Sequence, residues 1–260
     1  MAFTRDPGVA SPRSSFRTRL SEALADIVAL GAPSACAGCG RSGPAVCAEC
    51  ARCLHAPARV HQPSPTPPGW IPTHVIAGYD GTSRAVLTAW KERGRRDVSA
   101  HLAPPLARAI AAAAEAMESE DGRTPSTEIA VVPIPASSAA LRRRGEDAWQ
   151  RVVRQAMQWC PSHAHLRLVP ALKVKRQPHD QAGLTASERR DNLAGAFVCV
   201  GAPARRVIVV DDIVTTGATV CEAARALRAA GVESARAAAI AATSRTRASL
   251  PGARLPAADW

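Results

Sequence analysis

Short apolar runs alternate along this chain with longer amphipathic stretches, and the alternation predicts strands and helices in turn. Strands are expected at Val75–Tyr79, Ile129–Pro135, Leu166–Leu172, Ala196–Val200, Val207–Val210 and Ala235–Thr243. Helices are expected at Ser83–Glu92, Val98–Met117 and Glu146–Trp159, and from the Thr219 region to about Ala230. Thr185 and Glu188 form a capping-box pattern that opens a further helix carrying Arg189, Arg190 and Asn192. Val207–Val210 is β-branched with no polar interruption, as a parallel strand covered on both faces requires. Strands alternating with helices in this way predict an α/β fold, a parallel sheet flanked by helices.

The punctuation between these elements divides the chain. Residues 1–33 read as a polar tail and a short amphipathic helix, about Phe16–Leu30, and residues 34–55 as a cysteine-rich unit. Residues 56–73 are proline-rich and read as an extended linker. Residues 74–243 form the α/β domain, and 244–260 a polar tail.

One stretch orders the rest. After Val207–Val210 come Asp211 and Asp212, then Thr215, Thr216, Gly217, Ala218 and Thr219 at the start of a helix. Open α/β sheets place ligands at the carboxyl ends of their strands. Free N–H groups, hydroxyls and the positive end of a helix dipole make this turn a seat for phosphate. The two acids suit sugar hydroxyls or a metal ion. An ordinary strand-to-helix turn capped by Thr is the structural alternative.

The cysteines add a second chemistry. Five of the eight fall within 18 residues, as Cys36-x-x-Cys39, Cys47-x-x-Cys50 and Cys53, with His55 beyond. Two such knuckles can wrap four thiolates around one tetrahedral, structural zinc, here Cys36, Cys39, Cys47 and Cys50, with Cys53 a spare or a replacement for Cys50. Disulfides are the alternative, and the lack of an export signal argues against them and for a cytoplasmic protein.

Composition changes the picture little. The net charge of +11 and pI of about 10.1 favour anionic partners, phosphorylated metabolites or nucleic acid. Aromatic content of 3% offers few platforms for stacking bases, and Trp90, Trp149 and Trp159 are expected in the core or at its boundary. No apolar run is long enough for a membrane span. The lack of a Gly-x-x-x-x-Gly-Lys-Ser/Thr string excludes a Walker-type ATPase. Arg142-Arg143-Arg144-Gly145 after Val132-Pro133-Ile134-Pro135 could hold a pyrophosphate, or be a solvated face.

Asp211-Asp212 followed by Thr-Thr-Gly-Ala-Thr resembles the phosphoribosyl pyrophosphate (PRPP) motif of type I phosphoribosyltransferases. The order of segments is similar to that of the ComF family (competence protein F-like, amidophosphoribosyltransferase-like). It runs from the cysteine knuckles through Tyr79…Lys91, Val132–Pro135 with Arg144-Gly145, and Gln181-x-x-Leu184-x-x-x-x-Arg189-x-x-Asn192…Phe197 to the PRPP motif. The resemblance implies a phosphoribosyltransferase fold behind a small zinc knuckle. It implies that Asp211 and Asp212 bind ribose and Mg²⁺, that Val210 and Thr215–Thr219 line the PRPP site, and that Ser137 and Arg144 approach the pyrophosphate. Lys91, Gln181, Arg189 and Asn192 would lie near. Asp211, Asp212 and Arg144 would then serve transfer of phosphoribose from PRPP to a nitrogenous acceptor, with a link to DNA uptake, single-stranded DNA or a competence helicase. The alternative is a non-catalytic regulator of the same fold, or a single-stranded-DNA-binding competence factor. Two departures from the family pattern stand at Glu146-Asp147-Ala148, where Phe-Asn-Gln is usual, and at Glu92, where an aromatic or apolar residue is usual.

Overall fold

The computed structural model describes residues 35–121, 128–136, 148–160, 165–176, 186–201 and 203–243. In chain order the elements are α1 (Ala48–Arg52), β1 (Arg59–His61), β2 (Thr73–Gly78), α2 (Gly81–Lys91), a 3₁₀ turn (Arg96–Val98), α3 (Ser99–Asp121) and β3 (Ile129–Pro133). They continue as α4 (Ala148–Gln158), β4 (Leu166–Leu168), β5 (Leu172–Val174), α5 (Ala186–Leu193), β6 (Phe197–Cys199), β7 (Arg206–Val214), α6 (Ala218–Arg228) and β8 (Ser234–Ala242).

A six-stranded sheet runs β1-β2-β8-β7-β3-β4. All its pairings are parallel except β1 with β2. β7 lies inside it, so its side chains meet protein on both faces. Ile208 and Val210 share one core with Trp90, Leu102, Leu106, Ile110 and Trp149, from α2, α3 and α4. Val207 and Val209 share the other with Val220, Ala223, Ala224 and Leu227 of α6. Each fully buried Val, Leu or Ile among them stabilises the fold by roughly 1.5–3 kcal/mol.

Several expectations need correction. The stretch expected as a linker, 56–73, contributes β1, which pairs Arg59 with Val75 and His61 with Thr73. Prolines flank this strand and leave only three residues to pair, which hides it from a periodicity reading. The strand expected at Leu166–Leu172 is two. β4 joins β3, whereas β5 pairs antiparallel with β6 in a separate two-stranded sheet. Pro170, with no N–H to give, stands at the break. Trp90 and Trp149 are buried, but Trp159 is 65% exposed just beyond α4. The helix expected at Phe16–Leu30 and the cap residue Thr185 lie outside the described residues.

The cysteine-rich unit is not a separate bead. Cys36, Val46, Cys50 and Leu54 are buried in the same core as Trp90 and Leu102. Arg95 donates to the carbonyl of Ala35 at 3.0 Å, tying the unit to the turn after α2. No helix among the described residues is long and apolar enough to cross a membrane.

Candidate functional site

β7 does not stop before the acids. It continues through Val214 because β8 runs alongside, pairing Asp211 with Ala239, Ile213 with Ala241 and Val214 with Ala242. Asp211 and Asp212 therefore sit within the strand near its carboxyl end. With the period of two, they leave opposite faces. Asp212 follows Ile208 and Val210 toward α2, and Asp211 follows Val207 and Val209 toward α6.

Residues 215–217 form the turn, and Gly217 takes φ +79° as the residue before α6. That left-handed conformation costs a side-chain-bearing residue and suits glycine. Thr216 Oγ1 accepts the Ala218 N–H at 3.5 Å. Thr243, at the end of β8, secures the turn: its N–H reaches the Val214 carbonyl at 2.9 Å and its hydroxyl donates to the Thr215 carbonyl at 3.2 Å. The first-turn N–H groups of α6 have no helical acceptors, so the turn presents donors and hydroxyls together at a positive helix end.

Charge at the acidic pair is shared unevenly. Lys91, in the last turn of α2, places Nζ 2.9 Å from Oδ1 and 2.9 Å from Oδ2 of Asp212. Burial pushes the Asp211 carboxyl up to about 7, the Asp212 carboxylate adds to the rise, and the Lys91 ammonium pulls against it. Asp211 Oδ1 also accepts the Asp212 N–H at 2.8 Å. The pair thus combines one largely buried carboxylate held by an ammonium with one whose carboxyl is raised toward neutrality.

The structure brings Val210, Asp211, Asp212, Thr215, Thr216, Gly217, Ala218, Thr219 and Lys91 to one edge. Ser137, Arg144 and Gln181 lie outside the described residues, as does the side chain of Arg189. Asn192 is half-buried on α5, and its carbonyl accepts from Arg176 Nη2 at 2.7 Å. The sequence reading missed the support beneath the loop. A methyl at Gly217 would lie 2.9 Å from Trp70 Cε3, closer still to Cζ3, and 3.4 Å from Pro67 Cγ. A lone Trp in a proline run was the available signal. Also unanticipated is the seating of β6 on α6: Glu222 accepts the Phe197 N–H at 3.1 Å, and Arg225 donates to the Phe197 carbonyl at 3.1 Å.

The second site is the knuckle. The Sγ atoms of Cys36, Cys39, Cys47 and Cys50 all lie within 4.8 Å of one another, and those of Cys39 and Cys47 are 3.8 Å apart. Zinc–sulfur bonds of about 2.3 Å in a tetrahedron give sulfur–sulfur edges of about 3.8 Å. The four cysteines could therefore bind a zinc ion, and Cys53, exposed just past α1, stands outside the group. Burial raises the Cys36 thiol, but the N–H groups of Cys47, Cys39 and Gly38 hold it down to about 6. The Arg41 guanidinium, 3.4 Å from Cys39 Sγ, lowers that thiol too. Backbone and arginine donors thus favour the thiolate, the form that binds metal, at Cys36 and Cys39, whereas burial and the neighbouring cysteines raise the Cys50 thiol.

Comparison with known proteins agrees with this geometry. The phosphoribosyl transferase domain family matches residues 201–250, which contain β7, α6 and β8. Competence protein F of Haemophilus influenzae is 37% identical over 112 residues, covering 40% of this chain and 46% of that protein. The match thus spans less than half of the relative's length. The mostly parallel sheet, the acid-bearing strand and the Gly217 turn thus belong to an α/β chain that matches the phosphoribosyl transferase domain family over residues 201–250 and is similar to competence protein F over 40% of its own length.

Proposed function

We propose that the chain binds PRPP with Mg²⁺ at the edge formed by β7 and α6, and transfers phosphoribose to a nitrogenous acceptor. The observation that carries this reading is the junction itself: Asp211 and Asp212 in register beside the Gly217 turn, with a helix N-terminus behind it. The Thr215–Thr219 turn receives the 5′-phosphate through N–H groups and hydroxyls. Asp211 and Asp212 accept from the ribose 2′- and 3′-hydroxyls, which fixes the sugar. Carboxylate oxygens also suit a hard dication. Such an ion, when bound with PRPP, supplies positive charge to the departing pyrophosphate.

In the transfer, a nitrogen lone pair of the acceptor forms a bond to C1 of the ribose. The C1–oxygen bond breaks, its electron pair leaves with pyrophosphate, and the nitrogen loses a proton to solvent. The ribose gains positive charge as this happens, and the Asp211–Asp212 pair lies where that charge develops. Arg144 and Ser137 would serve the pyrophosphate from the segment after β3. Zinc held by Cys36, Cys39, Cys47 and Cys50 would be structural, since four protein ligands leave no open position. The similarity to competence protein F supports a role in competence, with DNA uptake as its setting.

Calorimetric titration of the full, zinc-loaded chain with PRPP and Mg²⁺ tests the reading, beside the double variant Asp211→Asn/Asp212→Asn. Saturable binding that the variant loses is expected. A folded chain that takes up no PRPP overturns the reading. Salt-dependent binding of single-stranded DNA by that same chain, in keeping with its net charge of +11, would then move the function to nucleic acid.

A further inference from the structure

Lys91 comes from a different part of the chain than Asp212, 121 residues away, yet its ammonium chelates that carboxylate evenly, at 2.9 Å from each oxygen. The Asp212 side chain is 11% exposed and that of Lys91 is 41% exposed. The lysine is therefore the more exposed member of the pair, within reach of solvent while it covers the buried acid. A lysine in the last turn of a helix is ordinary, because it suits the helix dipole. An ordinary helix-end lysine has no reason to close on both oxygens of a largely buried acid in a candidate ligand site. Its field also extends to Asp211, whose proton affinity it lowers against burial.

We propose that Lys91 is a built-in counter-ion that occupies the place of a divalent cation at Asp212 and keeps free metal from the site until PRPP arrives. This rests on the PRPP reading above and assigns an order of binding to it. In the free chain the bidentate position on Asp212 is filled by an ammonium, and a dication entering there meets like charge a few ångströms away. PRPP brings several negative charges, which draw the flexible lysine off Asp212 and admit the dication with the ligand. Metal and PRPP then bind as a unit, and neither free metal nor its counter-anions compete for the resting site.

The test uses Mn²⁺ alone as the probe, with free ion followed by electron paramagnetic resonance in the full, zinc-loaded chain. Wild type and Lys91→Arg, which keeps the charge, bind Mn²⁺ weakly without PRPP. Lys91→Gln binds it at least tenfold more tightly, and adding Asp212→Asn to Lys91→Gln abolishes the gain, which places the ion at the acidic pair. PRPP raises Mn²⁺ affinity in wild type by at least tenfold and by much less in Lys91→Gln, where the barrier is already gone.

Equal Mn²⁺ affinity in wild type and Lys91→Gln overturns the proposal, even where wild type binds PRPP with Mg²⁺ and the site reading stands. A gain in Lys91→Gln that survives Asp212→Asn overturns it as well. Failure of wild type to bind PRPP overturns both readings together. Should Lys91→Gln not fold, Lys91→Met carries the same comparison with wild type, and equal Mn²⁺ affinity there has the same meaning.

Discussion

Substitution of Gly217 by alanine tests whether the proline-rich segment supports the phosphate-type turn. Two costs are visible. Gly217 has φ +79°, where a β-carbon costs roughly 1–2 kcal/mol. The new methyl would also stand 2.9 Å from Trp70 Cε3 and closer to Cζ3, with Pro67 Cγ at 3.4 Å. The indole is not a loose end. It meets the His61 ring edge-on at 6.3 Å between centroids, and the backbone that carries it is held by the main-chain N–H of Trp70 donating to the Pro67 carbonyl at 3.2 Å. Overpacking of this kind costs about 1–3 kcal/mol. Gly217→Ala should therefore destabilise the chain by roughly 2–5 kcal/mol. In a Trp70→Leu background the clash is relieved and only the backbone strain remains, roughly 1–2 kcal/mol. Urea unfolding of the four zinc-loaded proteins gives the cycle, and a coupling of about 1–3 kcal/mol is expected. Additivity within about 0.5 kcal/mol would refute the packing of Trp70 against the turn.

Two further outcomes follow from charge and metal. The folded pKa of Asp211, about 7, lies above its ordinary value of 3.8, so the folded chain holds this proton more tightly than the unfolded one. The associated stability is fully present below pH 3.8 and is lost as pH rises through 7, at most roughly 4 kcal/mol. Asp211→Asn should accordingly raise the melting temperature at pH 8 much more than at pH 5 with no Mg²⁺ added; an equal shift at both values would contradict it. At the knuckle, one zinc per chain is expected on metal analysis, unchanged in Cys53→Ser and lost in Cys36→Ser or Cys50→Ser. Because Cys36 and Cys50 share a core with Trp90, metal removal should lower the melting temperature of the whole domain and shift tryptophan fluorescence. A domain that melts unchanged without metal would contradict that.

What the sequence disclosed follows from how local each signal is. Val207–Val210 announced a strand buried on two faces because every residue in it is apolar, and a central position accounts for that. Asp211-Asp212 and Thr215–Thr219 could be picked out as a candidate site because they lie in consecutive residues. The cysteine spacing was legible for the same reason: two tight turns aim four sulfurs at one point. β1 was not, since three residues in the short interval between Pro57 and Pro63 give no period and only pairing with β2 makes them a strand. The strand end at Asp211 was misjudged because polarity suggested exposure, whereas β8 supplies partners as far as Val214. The Lys91–Asp212 pairing and the Trp70–Gly217 contact join distant segments, and periodicity cannot report them.

These long-range contacts explain why the knuckle and the acidic pair share one chain. α2 has only 11 residues, too few to be stable alone, yet its last residue must hold an ammonium 2.9 Å from Asp212. Its start is fixed by Ser83, whose hydroxyl oxygen accepts the Asp80 N–H at 3.3 Å and donates to the Asp80 carbonyl at 2.8 Å. Its inner face buries Val86, Leu87 and Trp90, and the Trp90 indole donates to Ser99 Oγ at 3.1 Å. The knuckle supports it as well. A methyl on Gly38 would lie 2.9 Å from both Cys50 Cβ and the Thr82 methyl, so the knuckle turn lies directly on the first turn of the helix. Arg108 of α3 donates to the Leu54 carbonyl and locks the other end of the unit. Four thiolates gathered on a metal would stiffen the body against which α2 rests. The position of Lys91 is set from that side, and the position of Asp212 from the sheet.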